Sequence, residues 1–444
     1  MTRKGNEPGR TFRRGEDGYE QARRDCSFNA RLADRYPDLI VQANNTDDVV
    51  TAVRAARRDG MTIGVRSGGH SWAGNHIRDG GMLLDLSRLD HATIDRVNMT
   101  ATAGPGTGGY DLAMALAKEK LFFPAGHCKG VCIGGYLLQG GYGWHSRALG
   151  PACESVIGID YVDAEGDLRH ASAEENADIF WAARGAGPGF FGVVTRFHLK
   201  LYPRPRVMGM KFAVYGEDRF EEVFRWAHRV GPDVPEAIEL MLIVSRQIPF
   251  VRGPGMLVVA PVFEDSLSGA YRALEFMKSR PLGARLVTPF VPMKQAWMYA
   301  GVMEHYPSDH RYAVDNMWTH ASIEALMPGL RRITETLPTA PSHMLWMNWA
   351  PPKTRPDMAY SMEDDIYIAL YGVCKDAADD ASVASWAEDK MAAMALYASG
   401  MQLADENLGR RPAKFLAEAN LSRLDALRAA KDPQGRFHPY MGRP

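Results

Sequence analysis

Val65-Arg-Ser-Gly-Gly-His-Ser-Trp-Ala-Gly74 carries one histidine, His70, just past a glycine pair and directly after an apolar run that reads as a buried strand. Glycines leave the backbone bare and free to take left-handed φ, which suits a tight turn and the close approach of a ligand equally well. Two readings follow. Either the backbone N–H groups cradle an anionic ligand that His70 touches, or the stretch is a turn with an incidental surface histidine. Upstream, "TDDVVTAVRAARRDG" (46–60) sets Val49, Val50, Val53 and Ala56 on one helical face, with acids in the first turn and Gly60 as the stop. Downstream, "GMLLDLSRL" (81–89) and "NMTATAGPG" (98–106) read as strands, and "GTGGYDLAMALAKEKL" (106–121) as a second helix.

The alternation continues. "SVIGIDYVDAEGDLRHAS" (155–172) reads as a hairpin turning at Asp163–Gly166, and Ser172 with Glu175 as a capping box for the helix in "ENADIFWAARG". In "GVVTRFHLKLYP" (192–203), Val193, Thr195, Phe197, Leu199 and Leu201 face one way and Arg196, His198 and Lys200 the other. After Tyr202-Pro-Arg-Pro-Arg206 the style changes. Four runs read as strands, 238–244, 256–263, 342–350 and 364–373, separated by helices at 217–230, 268–280, 322–337 and 381–398. In the last strand Ile366, Ile368 and Leu370 share one face while Tyr367, Ala369 and Tyr371 share the other, as a sheet with helices behind it and a cavity in front requires. Trp346 and Asn348 lie on one face of their strand and His343 on the other; all three are cavity candidates, although aromatic residues at strand spacing are more often core.

Composition bounds the function. With 444 residues, 46% of them hydrophobic, the chain supports two domains. Its 52 basic and 53 acidic residues leave a formal charge of −1, so no nucleic-acid or anionic-membrane partner is expected. Residues 1–25 read as a charged, loosely tied arm without the apolar core of a secretion signal, and no apolar run is long enough to span a bilayer. Five cysteines do not make a disulfide framework. A cytoplasmic protein is the expectation.

Gly104-Pro-Gly-Thr-Gly-Gly109 satisfies G-x-G-x-x-G, but no acidic residue stands in "FFPAGHCK" (122–129) to hold a ribose, and Pro105 removes a backbone donor, so a plain turn is the better reading. "PAGHCKGVCIGGYLLQGGYGWHSRALG" (124–150) puts Cys128 in a glycine-dense loop where backbone can lie against a flat ligand. His127, Cys128 and Cys132 lack the spacing of common zinc sites, and no metal is expected.

Taken together, "VRSGGHSWAG", "AGHCKGVCIGG", "IFWAARGAGPGFFGVVTRF" and the C-terminal "NLSRLDALRAAKDPQGRF" resemble the berberine bridge enzyme-like FAD-linked oxidases of the p-cresol methylhydroxylase-type, or vanillyl-alcohol oxidase, flavoprotein superfamily. The resemblance runs from about Cys26 to Phe437 and is weakest between 206 and 400. It implies an α+β chain: a p-cresol methylhydroxylase-type FAD-binding domain formed by 26–205 and the returning segment 401–444, and a substrate domain, 206–400, with a large antiparallel sheet backed by helices. It further implies that Arg66, Ser67, Gly68, Gly69 and Ser71 follow the FAD pyrophosphate, that His70 bonds to the flavin 8α-methyl, and that Cys128 bonds through sulfur to flavin C6. Gly134, Gly135, Gly140, Gly141, Gly143, Gly192, Val193, Val194 and Asn407 match cofactor contacts, and Val131 the small gate for O2.

This chain departs from the family at its base. Asp405-Glu-Asn407 stands where members have Tyr-x-Asn, Tyr136 stands for a frequent histidine and Gln139 for a frequent glycine. Asp405, Glu406, Tyr367 and Tyr371 are therefore the catalytic candidates, a carboxylate in an apolar pocket having its pKa raised towards the working pH. The expected activity is bicovalent FAD-dependent oxidation of an alcohol, phenolic or alkaloid-like small molecule of secondary metabolism, with O2 reduced to H2O2. An oligosaccharide oxidase, an NAD(P)H-fed reductase and a flavin-binding protein without catalysis remain the alternatives.

Overall fold

The computed structural model describes residues 9–443. Leu39–Gln42, Met82–Asp85 and Ile63–Arg66 run parallel in a four-stranded sheet completed by Arg10–Arg13. The helix Thr46–Arg58 makes one crossover; the Asn45 side chain accepts the Asp48 N–H at 2.9 Å, and Val49, Ala52, Val53 and Ala56 are buried, with Val50 at the margin. Residues 10–25 are not a loose arm. Arg10–Arg13 pairs with Leu39–Gln42, and the helix Tyr19–Asp25 buries Tyr19, Ala22 and Arg23, whose guanidinium lies 4.5 Å over the Tyr36 ring. Cation–π contact and apolar burial tie down a segment whose charge density reads as solvated. Residues 1–8 of that expected arm lie outside the described residues.

A five-stranded antiparallel sheet follows, in the order Ala92–Asp95, Thr100–Ala103, Val193–Lys200, Val156–Val162, Leu168–Ser172. The hairpin turns at Asp163–Gly166 as read. The capping box does not form: the Ser172 hydroxyl accepts the N–H groups of Glu174 and Glu175, and Asn176, at φ 47°, starts the helix Ala177–Ala183. Gly104 and Gly106 serve backbone packing, since a Cβ on Gly104 would lie 2.1 Å from the Leu89 carbonyl oxygen and one on Gly106 2.5 Å from that of Ser87.

The large sheet is antiparallel, ordered Val207–Gly216, Gly255–Glu264, Met241–Ser245, His343–Asn348, Ile366–Cys374, Arg311–Thr319, with the short pieces Leu286–Val287 and Val291–Pro292 on Val207–Gly216. The helices Phe220–Val230, Ile323–Glu335 and Asp380–Met394 share one core with Ile366, Ile368 and Leu370. Tyr367, Ala369 and Tyr371 belong to the other core, shared with the first part of the chain. The C-terminal segment returns there: Phe437 bridges Ile63, the Ile63 N–H donates to the Arg436 carbonyl at 2.7 Å, and the Arg436 guanidinium donates to the carbonyls of Ala56 and Met61. Among the described residues no helix is long and apolar enough to cross a membrane.

Candidate active site

Between the glycine-rich loops and the open face of the large sheet lies a cavity of about 880 Å³. Of the residues singled out from sequence, Arg66, Ser67, Gly68, Gly69, His70, Ser71, Cys128, Val131, Gly134, Gly135, Gly192, Val194, Tyr367, Tyr371 and Asp405 line it. Six others do not. Gly140 gives room to the Tyr360 ring, while Gly141 and Gly143 give room to Tyr136, whose hydroxyl donates to the Pro124 carbonyl at 2.6 Å. Val193 is fully buried in the core, Glu406 turns to Asn75 and the Leu408 N–H, and the Asn407 side-chain amide donates to Asp315. The pairing of Trp346 with Ile368 and of Asn348 with Ile366 likewise turns those two towards the helices; His343, paired with Tyr371, faces the cavity.

His70 packs against Phe28, ring centroids 4.3 Å apart and nearly parallel. Burial, reinforced by the Arg66 charge, pushes its pKa down to about 4, so the imidazole is neutral at physiological pH. The loop is bare for steric reasons. A Cβ on Gly130 would sit 2.5 Å from His70 Nε2, and Gly69 combines φ +72° with a Cβ position 2.3 Å from the Cys26 carbonyl oxygen. Cys128 is the counterpart on the second loop. Burial, with the Asp405 charge added, pushes its thiol up to about 12, so it is held protonated.

Asp405 is the polar centre of the cavity. Its carboxylate accepts from Trp72 Nε1 at 2.6 Å, the Tyr367 hydroxyl at 2.5 Å and the Tyr371 hydroxyl at 2.9 Å. Burial raises its pKa despite those three donors, and burial beside Asp405 raises both phenols well above their ordinary value. The phenols therefore stay protonated and donate, and the carboxylate is the group able to take a proton. The backbone under it is fixed by Asn316, whose amide donates to the carbonyls of Gln402 and Asp405 at 3.1 and 2.8 Å. Trp72 stands inside the opening decapeptide and Asn316 in a strand the sequence reading passed over. For Trp72 the available signal is its position, two residues beyond His70.

The cavity changes character along its length. Arg66, bound to buried Asp85 at 2.6 Å, sits with the glycines at one end, and its Nε has no partner; the Tyr142 hydroxyl is also buried, unpartnered and on the cavity wall. Bare backbone plus orphaned donors fit a flat ligand with polar edges and an anionic tail, as FAD is. The far end is mainly apolar: Met210, Phe212, Met241, Ile243, Leu345 and Met347 come from the sheet and Met298 and Val302 from the helix Gln295–Met303, while Gln247, His305 and His343 add polar groups to the lining.

Residues 37–172 match the model of the FAD binding domain family. The chain is 34% identical over 427 residues to the FAD-linked oxidoreductase nodO of Hypoxylon pulicicidum, covering 94% of each protein. Among solved structures, 6-hydroxy-D-nicotine oxidase from Arthrobacter nicotinovorans superposes with a TM-score of 0.85 at 23% identity, covering 98% of this chain and 97% of that one. The xylooligosaccharide oxidase of Myceliophthora thermophila C1, in complex with xylobiose, gives 0.82 at 22% identity, covering 97% and 96%. At those identities the two structures speak for the fold.

Proposed function

The chain belongs to the FAD-linked oxidoreductases of the p-cresol methylhydroxylase-type, or vanillyl-alcohol oxidase, flavoprotein family, and from that premise we propose that it is an oxidase of bulky, largely apolar alcohols, phenols or alkaloid-like amines. When bound, FAD supplies the two-electron acceptor that O2 reoxidises with release of H2O2. His70 and Cys128 hold it covalently. A neutral imidazole supports the first attachment; the second requires Cys128 to lose a proton that burial and the Asp405 charge both help to retain. Arg66 and the bare backbone of Gly68 and Gly69 receive the anionic part, and Val131 lines the approach for O2. The five free cysteines support a reducing, cytoplasmic setting.

The observation that carries the reading is Asp405, clamped by three donors in front of an apolar wall. Tyr367 and Tyr371 orient the substrate hydroxyl or amine, and Asp405 takes its proton as the adjacent C–H is oxidised. The apolar wall favours a hydrophobic body over a sugar, whose many hydroxyls the six sheet residues named above would leave without partners. A donor panel assayed for H2O2 tests this. Hydrophobic alcohols, phenols and cyclic amines are expected to turn over at least about tenfold faster in kcat/KM than xylo- or chito-oligosaccharides, which is about 1.4 kcal/mol of discrimination. The reverse order makes the protein a carbohydrate oxidase. Anaerobic bleaching by NAD(P)H with no response to any donor makes it a reductase.

A further inference from the structure

We propose that Asp160, His170 and His198 bind a first-row divalent cation, of the zinc or nickel kind, on the outer face of the five-stranded sheet. The strand Val156–Val162 lies between the other two, and its pairing places Asp160 opposite His170 and His198 opposite Gly158, two positions along on the same face. His170 Nδ1 stands 2.8 Å and His198 Nε2 3.1 Å from the same oxygen, Asp160 Oδ1, and the three atoms lie within 4.8 Å of one another. An ion about 2.1 Å from nitrogen and oxygen ligands holds neighbouring ligand atoms roughly 3.0–3.4 Å apart, so the two nitrogen–oxygen edges of a coordination polyhedron are already nearly in place. Two imidazoles and a carboxylate suit zinc or nickel better than magnesium or calcium.

A second feature points the same way. Glycine weakens a strand interior, yet Gly158 sits in the middle of this one, and a Cβ there would lie 3.2 Å from His170 Cε1. The bare position leaves space for both rings to lean over Asp160. Hydrogen bonds from the two imidazoles hold the Asp160 carboxyl below its ordinary pKa although burial pushes the other way. The side chains are 22%, 39% and 28% exposed for Asp160, His170 and His198, and none lines the cavity, so the ion faces water and acts as a clip that ties the hairpin 156–172 to the strand Val193–Lys200. On binding, each ring gives up the proton it points at Asp160 and carries one instead on the nitrogen facing away. Arg196 stands 3.5 Å from the other carboxylate oxygen and repels a cation.

The test uses untagged, flavin-loaded full-length protein titrated with ZnCl2 and with NiCl2 by calorimetry, alongside thermal melts. One ion per chain is expected, with a rise in melting temperature that His170→Asn and His198→Asn each abolish while weakening affinity about tenfold or more. Asparagine can keep a hydrogen bond to Asp160, so loss of the ligand alone spares the metal-free melting temperature and still removes the ion, whereas a packing defect lowers the metal-free melting temperature itself. Arg196→Gln is expected to tighten binding. Absence of a one-ion isotherm, or equal affinity in the His170→Asn/His198→Asn double variant, overturns the proposal.

Discussion

Asp405→Asn lowers the rate of anaerobic flavin reduction by any donor the enzyme accepts by about 10²–10⁴-fold, the usual worth of a positioned general base. The substitution keeps the volume, and its single carbonyl oxygen can still accept from the Tyr367 and Tyr371 hydroxyls while the contact to Trp72 Nε1 on the other carboxylate oxygen is lost, so flavin loading is expected to stay intact and the loss to fall on kcat rather than KM. pH supplies a second readout. Because the folded pKa of Asp405 is raised, wild-type reduction falls as pH drops through that raised value and the base is protonated; the variant loses this limb. The sign for stability is opposite. A carboxyl with a raised folded pKa favours the native state below its unfolded pKa, and that contribution is lost as pH rises through the folded pKa. Asp405→Asn is therefore no less stable than wild type at neutral pH, and its relative stability declines towards acid. Reduction within about threefold of wild type at every pH removes Asp405 from the proton path.

Arg411→Met destabilises the protein by about 3–5 kcal/mol, the cost of leaving a buried carboxylate without its charge partner. Asp315 is 0% exposed and takes Arg411 Nε at 2.8 Å, Arg411 Nη2 at 2.5 Å and the Asn407 amide at 3.2 Å. Arg411 also donates to the Asn316 carbonyl at 2.7 Å, so the pair that fastens the C-terminal loop to the large sheet adjoins the residue that fixes Asp405. Denaturant unfolding of the flavin-loaded variant measures the loss. Asp315→Asn in the same chain restores part of it, since the uncompensated charge goes; a loss below about 1 kcal/mol shows the pair to be as weak as a surface ion pair.

These two sites mark how far the sequence could be read. The glycine-rich end of the cavity was legible because its constraints are local: glycines at 68, 69, 134 and 135 and the proposed attachment residues His70 and Cys128 stand in two short stretches that also line the cavity. Tyr367 and Tyr371 were legible from period two, and the helix-facing Ile366, Ile368 and Leu370 confirm the phase of that strand. Alternation could not say which face of His343–Asn348 meets the cavity; the pairing of His343 with Tyr371 decides that, over 28 residues of separation in the chain. Arg311–Thr319 has no reading of its own in the sequence, since Asp315 and Asn316 interrupt its apolar pattern and their partners lie about 90 residues away, at Arg411, Gln402 and Asp405. Val207–Gly216 escaped for the opposite reason: it is buried or half-buried throughout, so no polar face marks its period. Glu406 and Asn407 were legible as residues of interest, but only the fold shows that one turns to Asn75 and the other to Asp315, leaving Asp405 alone in the cavity.

The proposed covalent attachment of the flavin is the centre of the account, and one measurement reaches it without knowledge of the substrate. Purified protein is precipitated with acid, washed and redissolved, and the flavin absorbance of the pellet is recorded for wild type, His70→Ala, Cys128→Ala and the double variant. The account predicts flavin in the pellet for wild type and for each single variant, with colour lost to the supernatant only when both residues are replaced. A colourless wild-type pellet under a yellow supernatant contradicts it.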